Sequence, residues 1–380
     1  MSLRVLYHYS TPQFNTGSPK ALVGLIDALD RSCIEPLFLA SSDGPLVDAL
    51  AERGVGIVRG PVASVSYRRP LVALRQIGRQ ASLLRSHRVD VVHVNELGWN
   101  TDLVLGAWTR GIPVILHMQN SEPIEVRNLN RVAARKILLV SEAQAADIAH
   151  FERIRHKCAV LNNPADLAAC SRGRSIRPAL GLAHDHLVVG TVAQVCRRKG
   201  IDLLLDVARI LLPEFPRLVF VIAGPVGHQE DAFAERMMQL AQDPAFDGRV
   251  RFLGPRSDVP DVLASTDVFF LPTRAEGFPV AVLEAMAAGL PVVASDVSGI
   301  HEMIAAPELG WRVPPDSLEG FTAALRTVLR LPDRGQAVGE RGRRSVYRRF
   351  DSATVRRQLE ALYRGLCGPA ATTRGRTAPA

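Results

Sequence analysis

The chain is poor in the features that mark several protein classes. No apolar run approaches the roughly 20 residues that a membrane-spanning helix needs. Its five cysteines, Cys33, Cys158, Cys170, Cys196 and Cys367, are scattered, odd in number and form no CxxC pair. That argues against a disulfide framework or a cysteine zinc site and predicts a reducing, cytoplasmic setting. No Asp-x-Asp pair and no cluster with metal-ligand spacing occurs, so no metal is expected. Aromatic content is only 6%, just four of the 46 basic residues are lysine, and no basic run is interleaved with aromatics. Nucleic acid is therefore not an expected partner. The opening Met1-Ser-Leu-Arg4-Val runs straight into a strand pattern, without the layout of a signal peptide.

What is present is a large apolar fraction, 47% of 380 residues, with a net charge of +8. The length predicts two domains. The positive balance points to an anionic ligand, either a phosphorylated molecule or an acidic membrane surface. Short apolar runs at Val5–Tyr7, Pro36–Leu39, Val89–Val94, Val114–Leu116, Ile137–Val140 and Ala159–Leu161 alternate with helical patterns. The same alternation resumes at Leu187–Val192, Leu218–Ala223, Val250–Leu253, Val268–Leu271 and Val292–Ala294. Continuous apolar strands between helices predict parallel sheets covered on both faces, hence an α/β fold of two doubly wound domains. The expected boundaries are 1–165 and 166–350, with the Arg-rich stretch at about 165–180 as the join. A final helix is expected over 351–367, with Val355, Leu359, Leu362 and Leu366 on one face. The last residues, 368–380, lack an apolar pattern and are expected to be disordered.

The most informative segment is Glu276-Gly-Phe-Pro-Val-Ala-Val-Leu-Glu284, continued by Ala285-Met-Ala-Ala-Gly289-Leu-Pro291. It places one carboxylate in a Gly/Pro loop and a second in a helix, just beyond a strand. In open α/β sheets ligands bind at the carboxyl ends of strands. Pro279 suits a helix start, Gly277 a close approach, and the helix start itself offers free N–H groups to an anion. A second strand-loop-helix unit reads Gly190-Thr-Val-Ala-Gln194-Val-Cys-Arg197-Arg198-Lys199-Gly200.

Taken together, these segments resemble glycosyltransferase family 4, the retaining nucleotide-sugar enzymes of the GT-B fold. The resemblance covers nearly the whole chain and is strongest from Gly190 to Gly299. It implies two Rossmann-like domains with the active site in the cleft between them, the second binding a nucleoside-diphosphate sugar and the first the acceptor. It also implies that the final helix crosses back to the first domain. Glu276 then faces the donor sugar and Glu284 the ribose hydroxyls, while Gly277, Phe278 and Pro279 line the donor loop. Lys199 matches the family lysine that holds the diphosphate. The accompanying family arginine is replaced by Gln194, which removes one charge-assisted contact of roughly 1.5–3 kcal/mol unless Arg197 or Arg198 replaces it. Gly224, in Ile222-Ala-Gly224-Pro-Val-Gly227, matches the second glycine loop, and Arg251-Phe-Leu-Gly254 with Val259 and Leu263 the segment around the base. In the first half, His117 matches a histidine near the reaction centre. Thr16-Gly17-Ser18 matches a glycine loop, with Gly17 as its donor-side residue. Asn95 and Glu96 face the acceptor, His93 is read as a packed strand residue, and Ser141, Glu142 and Asn162-Asn163-Pro164 as cleft architecture.

The activity so implied is retaining transfer of a hexosyl group from a UDP-, GDP- or ADP-sugar to a hydroxyl of a glycan or lipid-linked acceptor. It needs no cofactor or metal, and serves cell-surface polysaccharide or glycolipid synthesis. Segment Arg68–Arg88 reads as an amphipathic helix with Leu74, Ile77, Ala81 and Leu84 on one face and Arg68, Arg75 and Arg79 on the other. The resemblance makes it a candidate contact with the anionic inner face of a membrane. Two alternatives stand beside this reading. One is a GT-B nucleotide-sugar epimerase. The other is a non-catalytic sugar-nucleotide-binding protein or partner subunit, for which Gln194 is the only support.

Overall fold

The computed structural model describes residues 2–14, 17–66, 68–96, 100–119, 124–125, 133–149, 151–227 and 229–367. The expected tail at 368–380 and Thr16 lie outside them. The chain divides into two compact units, Met1–Pro164 with Ala353–Ala380, and Ala165–Ser352.

The first unit is built on a seven-stranded sheet. Its strands are β1 (Leu3–His8), β2 (Ile34–Ala40), β3 (Gly56–Arg59), β4 (Val91–Val94), β5 (Val114–Met118), β7 (Lys136–Leu139) and β9 (Cys158–Val160), in the order β3-β2-β1-β4-β5-β7-β9. Every pairing is parallel. A separate parallel pair joins β6 (Ile124–Glu125) to β8 (Ile148–Ala149). Alternate side chains go to opposite faces of the sheet. Val5 and Tyr7 enter one core with Leu22, Ile26 and Phe38. Leu6 enters the other with Val92, Val94 and Leu116.

The second unit carries β10 (Leu187–Val192), β11 (Leu218–Ala223), β12 (Val250–Gly254), β13 (Val268–Leu271), β14 (Val292–Ser295) and β15 (Trp311–Val313), in the order β12-β11-β10-β13-β14-β15. All are parallel. Helices Ile201–Leu211 and Leu318–Arg330 cover one face, where Phe220, Phe270 and Phe321 pack with Leu204 and Leu325. In each sheet the strand order reverses at one place, between β1 and β4 and between β10 and β13. This is where a doubly wound sheet opens a crevice for ligand.

Several sequence expectations are revised. The Arg-rich stretch after Pro164 is docked on the second unit. Asp166 caps helix Leu167–Ser171, accepting from the Ala169 N–H at 2.8 Å. Arg177 reaches Asp267 at 2.6 Å and the Ser265 carbonyl at 3.1 Å. The strands β3 and β15 carry no apolar run of the kind read in the sequence, because each is a short sheet edge that needs little burial.

Helix Pro70–Ser86 buries only one end of the face that carries Leu74, Ile77, Ala81 and Leu84. Leu74 is 64% exposed, alongside Leu71 at 75% and Val72 at 47%, and the buried side is carried by Gln80 and Leu84. Gln80 donates to the Pro61 carbonyl (2.7 Å) and to Asp102 (3.0 Å). Arg79 turns toward the same buried Asp102, at 3.5 Å. A polar anchor thus sets the rotation of this helix, which apolar periodicity does not register. In the final helix, Ser352–Cys367, Val355 and Leu359 are buried in the first unit's core, as is Tyr363, while Leu362 and Leu366 are half-buried at its edge.

Candidate active site

The loops leaving β10 and β13, the strands flanking the reversal in the second sheet, are stitched together. After β10 the chain makes a short 3-10 turn, Arg197–Lys199, and then Gly200 with φ of +68°. That left-handed conformation favours glycine. A Cβ on Gly200 would also lie 1.9 Å from the Pro272 carbonyl oxygen. The contact lets the Lys199 turn rest on the exit of β13. Arg274 N–H donates to the Arg198 carbonyl at 2.8 Å. The Arg274 guanidinium forks onto Asp202 at 2.9 and 3.0 Å and also meets Asp316 at 2.7 Å. Burial pulls the Asp202 carboxyl up, but the Arg274 fork outweighs it and leaves the group below its usual range. Gly224, after β11, approaches the same region: a Cβ there would stand 1.9 Å from the Ala193 carbonyl.

These contacts bring Lys199 and Glu276 together. Glu276 is buried, with 7% of its side chain exposed, and receives a very short hydrogen bond from Lys199 Nζ. Arg198 Nη1 lies 3.4 Å from the other carboxylate oxygen and donates to the Ala275 carbonyl at 3.0 Å. Thr273 Oγ1 stands 3.0 Å from both Glu276 Oε1 and the Arg198 carbonyl, so its one proton serves either. Arg197 turns away, its guanidinium 5.0 Å over the Phe233 ring. Of the two arginines beside Lys199, Arg198 is therefore the one on the Glu276 side. Gln194 is half-buried on the loop directly after β10.

Gly277, Phe278 and Pro279 are buried. The Phe278 ring packs edge-on against Phe350 at 5.3 Å, which leaves the residue's backbone as the part that can serve a ligand. Pro279 is the cap of helix Val280–Ala287, one position earlier than the first helical turn. Glu284 is half-buried on that helix. Burial, together with the carboxylates of Glu284 and Asp166, pushes the Cys170 thiol well up, so Glu284 lies close enough to Cys170 to act on it. Arg251, read as part of the base segment, donates to the Leu180 and Gly181 carbonyls at 2.7 and 2.9 Å.

In the first unit, polar residues gather at the carboxyl ends of β1, β4 and β5. Asn95 is fully buried, donating to the Ser18 carbonyl (3.3 Å) and accepting from Gln119 (3.1 Å), which in turn accepts from Asn163 (2.9 Å). It is thus tied into a ladder that fixes strand ends. Glu96 accepts from Ser10 at 2.5 Å, and His8 Nε2 stands 3.8 Å from its other oxygen. His8 Nδ1 meets the Leu39 carbonyl at 3.0 Å, and because a carbonyl can only accept, that nitrogen carries the proton. Gly17 begins helix Gly17–Ala28, and among the described residues no atom lies within 4 Å of where its Cβ would stand. Asn162 donates to the Val140 carbonyl at 2.9 Å, and Ser141 accepts from the Gln144 N–H at 3.2 Å.

His117 is fully buried, its ring 5.4 Å from that of His93. His93 stacks on Tyr7 at 5.1 Å, and its Nδ1 lies 2.7 Å from the Tyr363 hydroxyl, which is 2.7 Å from that of Tyr7. The histidine that the resemblance puts near the reaction centre is thus fully enclosed. Burial lowers its pKa from 6.5 to about 4, and the Leu161 carbonyl, pulling the other way, makes no hydrogen bond of good geometry to it. Burial and then the neighbouring His117 push His93 well down too.

Both rings are therefore neutral when folded, whereas the unfolded chain takes up protons below about pH 6.5. Stability should fall as pH drops from about 6.5 to 4, by up to about 3 kcal/mol for His117 alone. Denaturant melts over that range should show a flatter acid limb for His117→Phe than for the wild type. An unchanged limb would remove His117 as its source.

His8, Ser10, Thr273, Arg274 and Tyr363 were not singled out in the sequence. His8 carried a signal, since it ends β1 as His117 nears the end of β5. Ser10, Arg274 and Tyr363 carried none, because their partners are 42 to 356 residues away, whereas Thr273 lies three residues before Glu276, within reach of the same loop.

Two parallel sheets wrapped by helices, with a cation and carboxylate cluster at the order reversal of the second, define a two-unit Rossmann-like protein of the GT-B type. Comparison with known proteins takes this further. The family described as Glycosyl transferases group 1 matches residues 174–345, and Glycosyltransferase Family 4 matches residues 16–169. The chain belongs to this glycosyltransferase family. A lipopolysaccharide core biosynthesis mannosyltransferase, LpsB of Rhizobium meliloti, is 30% identical over 50% of this chain and 55% of its own. A D-inositol 3-phosphate glycosyltransferase of Corynebacterium urealyticum is 28% identical over 60% and 56%. The chain thus spans about half the length of the curated relatives it matches. Among solved structures, a Rickettsia africae glycosyltransferase superposes with a TM-score of 0.84 at 15% identity, covering 97% of this chain and 99% of its own. HepE of Anabaena, solved with UDP and glucose, gives 0.78 at 19% identity over 95% and 99%. At such identities the structures speak for the fold alone.

Proposed function

We propose that this protein is a retaining glycosyltransferase that moves a hexosyl group from a nucleoside-diphosphate sugar to a hydroxyl of a glycan or lipid-linked acceptor. The observation that carries the reading is the cluster of Lys199, Arg198 and Glu276 on the two loops at the reversal point of the second sheet. The donor is held by the second unit and the acceptor by the first. Lys199 and Arg198 stabilise the departing diphosphate, with Arg198 supplying the charge that Gln194 lacks. Glu276 faces the sugar, Glu284 the ribose, and the backbone of Gly277 and Gly224 the nucleotide. Glu276 and Glu284 share one loop-helix unit, so they are not the opposed carboxylate pair of a glycosidase. His117, with a pKa of about 4, serves as a neutral ring and not as an acid. The chemistry needs no metal, since protein cations take the leaving-group charge.

The names of relatives support a role in lipopolysaccharide or other cell-surface polysaccharide synthesis. The UDP and UDP-glucose complexes of HepE support a nucleotide sugar as the donor. The test is thermal stability against millimolar UDP, GDP and ADP in parallel. A ligand at about 100 times its Kd adds roughly 2.7 kcal/mol, so one base should raise the melting midpoint clearly. No response to any of the three would remove the donor-site reading and favour a non-catalytic partner subunit.

Among the described residues no helix is long and apolar enough to cross a membrane. We place the chain on the cytoplasmic face, touching anionic lipid through helix Pro70–Ser86, where exposed Leu71, Val72 and Leu74 lie among arginines. Sedimentation with phosphatidylglycerol vesicles should be lost in Arg68→Glu/Arg75→Glu. Arg79 is left intact because it contacts buried Asp102. Absence of wild-type binding would end this part of the reading.

A further inference from the structure

Lys199 and Glu276 are each other's ion-pair partner across the two stitched loops. Lys199 keeps 13% of its side chain exposed and Glu276 7%, so both charges are largely withdrawn from water and depend on each other. Arg198 leans on the same carboxylate at 3.4 Å. Two of the three cations of the turn, Lys199 and Arg198, thus already face one buried anion. A diphosphate arriving at Lys199 would bring at least two further negative charges beside that carboxylate, and like charges in a buried site oppose each other strongly. The diphosphate and Glu276 therefore compete for the ammonium and the guanidinium.

We propose that Glu276 is the internal anion of the phosphate site and sets its preference for sugar nucleotide over free nucleotide. It holds Lys199 and Arg198 until a diphosphate takes them, and its carboxylate then turns to the hydroxyls of the attached sugar. A carboxylate is an acceptor only, and sugar hydroxyls are donors that satisfy it. A nucleoside diphosphate without its sugar offers no such donors, so Glu276 competes for the cations and speeds the product's departure. The inference rests on the donor-site reading above. The rival arrangement is that the three N–H bonds of Lys199 bridge Glu276 and phosphate together, which would make Glu276 a support for diphosphate binding.

Calorimetric titration of the full chain with UDP, GDP and ADP separates the two. The nucleotide that binds wild type should bind Glu276→Gln about tenfold tighter, the scale of one charge-assisted contact. The gain should largely vanish when Lys199→Ala is added, because the competition acts through that lysine. Glutamine keeps the shape and an acceptor oxygen, and melting midpoints report whether the fold is kept. Should Glu276→Gln fail to fold, Glu276→Asp, which draws the carboxylate back from Lys199, should give a smaller tightening. Equal or weaker binding by a folded variant overturns the proposal while leaving the donor reading intact. Wild type silent with Glu276→Gln binding one nucleotide supports it, and both silent to all three removes the donor reading and this inference together.

Discussion

Glu276→Ala is expected to lower transfer by about a thousandfold or more, on the scale seen when a preorganised charge contact at the reacting group is lost. The carboxylate is buried where three groups converge: Lys199, Arg198 and the Thr273 hydroxyl. Truncation removes the group that faces the sugar and also leaves two cations without their anion. The fold should survive, because Lys199 and Arg198 sit on a loop at the rim of the sheet and the apolar core of the second unit does not include Glu276. The measurement is release of nucleoside diphosphate from the sugar nucleotide whose base protects wild type, in the presence of acceptor-containing envelope extract. Turnover equal to wild type, with an unchanged melting midpoint, would remove Glu276 from the mechanism.

Gly200→Val should be the most damaging single change outside the apolar cores, costing about 4 kcal/mol or more, since it combines backbone strain with a steric overlap. The φ of +68° is unfavourable for a β-branched residue, and the added Cβ would overlap the Pro272 carbonyl at 1.9 Å. Relief requires the turn carrying Arg197–Lys199 to lift off the exit of β13. That would break the Arg274 N–H bond to Arg198 and move Lys199 from Glu276. Nucleotide protection should be lost with the stability. Urea denaturation reads the first effect and the nucleotide melts the second. A cost under about 1 kcal/mol, the range of an ordinary surface substitution, would show that the turn adjusts without the contact.

The legible part of this protein was the part written in local pattern. Strands such as Leu187–Val192, Leu218–Ala223 and Val268–Leu271 were found at their observed ends, because a strand buried on both faces must be continuously apolar. The loop-helix unit from Glu276 to Glu284 was legible because its glycine, proline and two acids lie within nine residues. The packing of the Phe278 ring on Phe350 was not legible, since nothing near it in sequence points to Phe350. That Leu74 is exposed while Leu84 on the same face is buried was not legible, because helix Pro70–Ser86 is held by Gln80 and Arg79 reaching Pro61 and Asp102, polar contacts outside the apolar periodicity.

By itself the amino-acid order determined the fold class, the family resemblance and which loops carry charge, all consequences of spacing along the chain. Only the tertiary structure decided that Arg198 and not Arg197 joins Lys199 on Glu276, that His117 is enclosed beside His93, and that Tyr363 of the last helix closes a hydroxyl chain to Tyr7. Each depends on which side chains meet after the strands have been brought into register. The partners stand 78, 24 and 356 residues apart, distances over which sequence pattern carries no geometric information.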